Sequence, residues 1–167
     1  MAPLLFFDIE TTGLRPDRGA RLTEWALVDH TGLRLHRVIN PDTTDYDRVL
    51  AASLDDLFKQ LQTGVIVGHH LAFDFGFIAR EADRLGRPGP HLLFIDTCDL
   101  ARRLPLRTSD AQLATLLDYF GIDPDGPLHT AVGDARATRA LFWALVEHGG
   151  LDTLADAGLQ RLDWTAF

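Results

Sequence analysis

A chain of 167 residues, 46% hydrophobic and 24% charged, has the size and composition of one globular domain with its own core, so the span 1–167 is expected to fold as a single domain. The lone Cys98 excludes an internal disulfide framework, and no apolar run approaches the roughly 20 residues of a membrane helix, so a cytoplasmic protein without membrane contact is expected. A net charge of −8 excludes a grip on nucleic acid by bulk positive charge, and any phosphate-bearing partner has to be held locally.

The apolar run that opens the chain reads as a strand ending in Asp8 and Glu10, and "TGLRPDRG" reads as a turn. "RLTEWALVD" and "LRLHRVIN" alternate apolar with polar residues around "HTG", which predicts an antiparallel hairpin. Leu54, Leu57, Phe58 and Leu61 have helical spacing, with a start near Ser53 or Asp55 and a stop at Gly64. "VIVGH" is a short strand. Phe77, Ile78, Ala82 and Leu85 then form the stripe of a helix closed by Gly86 and Pro88. "HLLFIDT" predicts another strand and "CDLARRL" a short helix. A further helix is capped at Ser109 or Asp110 and ends at Gly121, and "DARATRALFWALVEHGG" repeats that design. The tail "LDTLADAGLQRL" is expected to be a last helix. Three strands in meander followed by alternating strands and helices predict an α/β domain, a mixed sheet covered by helices.

Asp8 and Glu10 lie at i and i+2 and so project from one face of their strand. Two acids side by side there are either solvated surface or oxygen ligands for a hard cation such as Mg²⁺ or Mn²⁺. Asp74 stands at the start of a helix after another apolar strand, where it fits an N-cap as well as a ligand. Asp134 opens the last long helix with the same two options, and His129 before it is either a surface imidazole or a proton acceptor.

Taken in order, Asp-x-Glu, His-x-x-x-Phe-Asp and His-x-x-x-x-Asp resemble the histidine-bearing branch of the DEDD exonuclease superfamily, the DEDDh or DnaQ-like proteins, with proofreading exonuclease domains among them. The motifs run from Phe6 to Asp134 and span most of the chain. The resemblance implies a ribonuclease H-like fold and a metal-dependent 3′→5′ exonuclease that releases nucleoside 5′-monophosphates. It implies two Mg²⁺ or Mn²⁺ ions, with Asp8 bridging them, Glu10 and Asp134 on the ion of the attacking water, Asp74 on the other, and His129 as general base. A glycine, Gly133, is expected to make the His129 loop flexible. By the same resemblance, Leu14 is the wedge beside the terminal base and Phe73 the ring on which that base stacks, while backbone N–H groups around Thr11 and Thr12 hold the terminal sugar hydroxyl. His70 stands where many relatives carry Asn and is a candidate substrate contact. The implied partners are single-stranded DNA or RNA 3′ ends, with a DNA polymerase as a further candidate. DNA proofreading or repair is the first reading, and RNA trimming or oligoribonucleotide degradation the second. A catalytically silent nucleic-acid-binding module is the competing class, and the complete set of four carboxylates with His129 argues against it. Trp164 and Phe167 of the tail are expected to pack onto the domain.

Overall fold

The computed structural model describes residues 2–167. Strand β1 (Leu4–Thr11) sits inside the sheet because both of its faces are apolar: Leu5, Phe7 and Ile9 enter one core, and Phe6 enters the other. Strands β2 (Leu22–Asp29) and β3 (Gly32–Val38) form the expected antiparallel meander with it. Strands β4 (Val65–Gly68) and β5 (Leu93–Asp96) continue the sheet in parallel, so that β1, β4 and β5 end at the same edge. The order is β3-β2-β1-β4-β5-β6, with the short β6 (Gln160–Arg161) antiparallel to β5.

Helices α1 (Tyr46–Leu61) and α2 (Leu71–Arg84) cover the face of Leu5, Phe7 and Ile9. Helices α3 (Thr97–Arg103), α4 (Leu113–Phe120) and α5 (Ala131–Gly149) cover the face of Phe6. Each fully buried Leu or Phe stabilises this arrangement by about 1.5–3 kcal/mol. The mixed α/β sheet flanked by helices is the architecture that the strand and helix order predicts.

Three expectations need correction. The first helix starts at Tyr46 and not near Ser53, because Tyr46 and Leu50 extend the buried stripe of Leu54 and Leu57 at helical spacing through a polar-rich stretch that hides it. Ser53 lies mid-helix, where its hydroxyl accepts the buried Trp25 indole N–H at 2.7 Å. Neither Ser109 nor Asp110 caps the fourth helix. Asp110 accepts the Gln112 N–H at 3.0 Å in a local turn, and α4 begins only at Leu113. The tail is not a helix: after Gly150 closes α5 in the left-handed region (φ 58°), Asp156 accepts from Thr153 N at 3.0 Å and from its hydroxyl at 2.7 Å. Such side-chain bonds hold turns in competition with helix, and the chain then re-enters the sheet as β6.

Candidate active site

Phe6, Asp8 and Glu10 alternate along one face of β1, the face that α5 covers. Along α5, Asp134, Thr138 and Phe142 recur every four residues and so share a stripe. Phe142 packs on Phe6 with ring centroids 5.9 Å apart, and that contact sets the helix over the strand. Two turns nearer its start, α5 brings Asp134 to the acids of β1. Ligand oxygens of Asp8, Glu10 and Asp134 all lie within 4.8 Å of one another. The hydroxyl of the fully buried Thr138, between Asp134 and Phe142, is the one buried side-chain polar atom without a hydrogen-bond partner among the described residues.

Electrostatics mark the cluster as cation-seeking. Burial raises the Asp8 carboxyl well above the usual range, and the charges of Asp74, Asp134, Glu10 and Glu24 all push it the same way. Glu10 is raised by burial, then by Asp134 and Glu24, with His129 acting in the opposite sense. Burial raises Asp134 too, against the His129 amide that it accepts at 3.1 Å. Asp74, 4% exposed, is pushed up to about 8 by burial first and by Asp96 and Glu10, while the N–H groups of Asp74 and Ile9 partly offset the shift. Ile9, whose N–H acts on the Asp74 carboxyl, is the residue of β1 between Asp8 and Glu10. Hard oxygen donors that repel one another fit a divalent cation of the Mg²⁺ or Mn²⁺ type. The residues that could hold one are Asp8, Glu10 and Asp134.

Neither Asp74 nor Asp134 is an N-cap. Helix α5 is capped by Thr130, whose hydroxyl accepts the Gly133 N–H at 3.1 Å and donates to the Pro127 carbonyl at 2.9 Å. Helix α2 has no cap from its own N-cap residue, His70. The acceptor comes from β5: the Asp96 carboxylate, 6% exposed, takes the N–H groups of His70 (3.0 Å), Leu71 (2.7 Å) and Cys98 (2.9 Å), and so ties the starts of α2 and α3 together. Asp74, one turn into α2, is thereby left for the site.

His129 is exposed and left-handed (φ 63°), ahead of the helix, with its N–H donated to Asp134. The expectation that Gly133 makes this loop flexible is corrected. A Cβ at Gly133 would lie 1.9 Å from the Pro127 carbonyl oxygen, so the glycine permits a close approach that fixes the loop against the helix.

Leu14 and Phe73 line one cleft of about 500 Å³ with Phe77, Arg80 and Phe167, and Leu14 is 79% exposed. His70 is not in that cleft: it lines a separate groove with Cys98 and Arg102. The Thr12 N–H donates to the Arg21 carbonyl at 2.9 Å and its hydroxyl accepts from Arg21 N at 2.9 Å, while the Thr11 hydroxyl donates to Gly13 O at 2.8 Å. The Thr12 amide is therefore already engaged, unlike the free donor expected there. Two neighbours of the site escape sequence reading. Glu24 stands opposite Glu10 across the β1–β2 pair, bonded to His36 Nε2 at 2.9 Å, and the sequence signal for it is only the strand register, which the long β1–β2 connection obscures. Phe167 has no local signal beyond being aromatic.

Residues 36–142 match the model of the family described as "Exonuclease". The chain belongs to this exonuclease family. The matched range holds Asp74, His129 and Asp134, and the fold adds Asp8 and Glu10 from the strand before it. Relatives of the exonuclease domain include the 3′-5′ exonuclease DinG of Bacillus subtilis (strain 168), 25% identical over 160 residues that cover 84% of this chain and 17% of the relative. A PolC-type DNA polymerase III of Oceanobacillus iheyensis is 28% identical over 161 residues, 84% of this chain and 11% of the polymerase. The chain thus spans less than a fifth of these relatives. Among solved structures, exonuclease X in complex with 5′ overhanging duplex DNA shares the fold with a TM-score of 0.61 at 21% identity, covering 92% of this chain and 97% of that one. The sheet and its helices are the ribonuclease H-like fold of such exonucleases.

Proposed function

We propose that this exonuclease domain removes nucleotides from the 3′ end of single-stranded DNA, in proofreading or repair, and releases nucleoside 5′-monophosphates. The observation that carries the reading is the convergence of Asp8, Glu10 and Asp134 within 4.8 Å, beside a cleft lined by Leu14 and Phe73. Asp8, Glu10, Asp74 and Asp134 would hold two divalent cations, Mg²⁺ or Mn²⁺, which supply Lewis-acid polarisation and charge neutralisation at phosphorus. His129 accepts a proton from the attacking water. Leu14 and Phe73 present an apolar wedge and a π face to the terminal base, contacts that position an end without reading sequence. The Thr11 and Thr12 segment lies in the chain between the acids and Leu14 and borders the place for the terminal sugar, although the Thr12 N–H is itself bound to Arg21. His70, on its separate groove, contacts the strand further from the end. The match to part of a PolC-type polymerase supports work beside a DNA polymerase.

The test is a panel of single-stranded DNA, long RNA, dinucleotides and circular single strands, with Mg²⁺, with Mn²⁺ and with chelator. Metal-dependent release of 5′-mononucleotides from linear DNA, with circles left intact, is expected. Preference for RNA or dinucleotides would reassign the substrate, and cutting of circles would defeat the exonuclease reading.

A further inference from the structure

The end of the described chain is anchored through a series of specific contacts. After β6, Leu162 N–H donates to the Leu92 carbonyl at 3.0 Å, and the Trp164 indole N–H donates to the Pro90 carbonyl at 2.6 Å. The indole packs edge-on against Phe58 and Phe75, 5.8 Å from each, over a glycine, Gly89, where any Cβ would fall 2.4 Å from the ring. Asp163 Oδ1 accepts from Thr165 N at 2.9 Å and from its hydroxyl at 2.7 Å, which holds the last turn (Trp164–Ala166). These contacts deliver Phe167 to the cleft of Leu14 and Phe73. There the ring lies against Gly76 of α2, where a Cβ would sit 3.3 Å from it, and it stays 36% exposed. Trp164 packs against the core, whereas Phe167 is held at the surface of the cleft.

We infer that Phe167 is a substrate-positioning residue: its ring gives the nucleobase at the strand end a second aromatic contact, beside that of Phe73, and the inference rests on the exonuclease reading of the adjoining acids. An unpaired base is a flat π surface with two faces, and aromatic side chains on one cleft hold such a base whatever its identity. The exposed Arg80 on the same cleft adds a positive charge near an end that carries phosphate. The tail thus supplies part of the site for the terminal nucleotide, although it lies outside every motif that carries the metal ligands.

The experiment compares Phe167→Ala, Phe167→Leu and Phe167→Tyr in the full chain, on a single-stranded oligonucleotide with a normal 3′ nucleotide and on the same strand with an abasic 3′ nucleotide. Phe167→Ala is expected to raise KM by about 5- to 150-fold on the normal end, the usual range for a stacking contact, with kcat nearly unchanged. On the abasic end the same variant should match the wild type. Phe167→Tyr should restore the normal KM. Phe167→Leu, which keeps apolar packing against Gly76, should behave like Phe167→Ala. An unchanged KM in Phe167→Ala and Phe167→Leu, or an equal rise on normal and abasic ends, would overturn the inference and return Phe167 to a structural role. A wild type that cleaves none of the strands would instead defeat the exonuclease reading itself.

Discussion

At Asp8, burial and four neighbouring carboxylates all favour the neutral acid. A side chain that is both a proposed metal ligand and an electrostatic burden to the metal-free fold gives opposite signs for activity and stability when it is neutralised. Asp8→Asn is expected to abolish turnover and to raise the metal-free melting temperature at pH 8, by about 2–4 °C for each kcal/mol of relieved repulsion. Paired calorimetric metal titration and thermal melting check this, and retained two-ion binding would remove Asp8 from the ligand set. His70 illustrates another residue-scale constraint. Its φ of 66° is left-handed, a region in which Asn and His are several-fold enriched among non-glycine residues, so the position accepts either for backbone reasons.

At the scale of elements, the site depends on how α2 and α5 begin. The carboxylate of Asp96 satisfies three N–H groups at the starts of α2 and α3, so Asp96→Ala leaves them without an acceptor. A loss of about 2–4 kcal/mol is expected from two uncapped helices, with reduced activity because Asp74 rides on the first turn of α2. Chemical denaturation measures the first and steady-state rates the second; Asp96→Asn, which keeps one acceptor oxygen, should fall between. For α5 the decisive residue is Gly133. With the Pro127 carbonyl only 1.9 Å from a new Cβ, Gly133→Ala has to displace the loop that carries His129. Activity should fall at least tenfold. An unchanged rate would show that the position of His129 does not limit turnover.

Across the whole molecule, the buried acids couple stability to pH. Asp74 is raised to about 8, and Asp8, Glu10 and Asp134 are raised too. A carboxyl whose folded pKa lies above its unfolded value of about 4 stabilises the fold fully below that value and loses the contribution as pH rises through the folded pKa. The metal-free protein is therefore expected to be more stable near pH 5 than near pH 8.5, and a net loss of 2 kcal/mol across that window corresponds to about 4–8 °C in melting temperature. Divalent cations should reverse the trend by stabilising the ionised acids. Melting curves at several pH values, with and without Mg²⁺, test both halves, and a metal-free protein equally stable at both ends would show that these acids do not repel one another as described.

What the sequence determined by itself was local. The alternation that puts Asp8 and Glu10 on one strand face, the helical stripe of Phe77, Ile78, Ala82 and Leu85, and the acids placed at two helix starts follow from backbone periodicities that any short window contains. Those periods carried the mixed α/β sheet and the order of the acidic motifs. Only the tertiary structure decided which option Asp74 takes, because a cap from another element is invisible in the helix's own sequence: Asp96 reaches α2 from β5, whereas α5 is capped locally by Thr130, which leaves Asp134 free of that role. The same holds for Glu24, whose place opposite Glu10 depends on a register set across a long connection, and for Phe167, brought to Leu14 and Phe73 by a strand and a half-buried indole. Contacts between residues far apart in the chain form only when the sheet and its helices close around one core. The physical information for them is distributed over the whole packing and resides in no single segment.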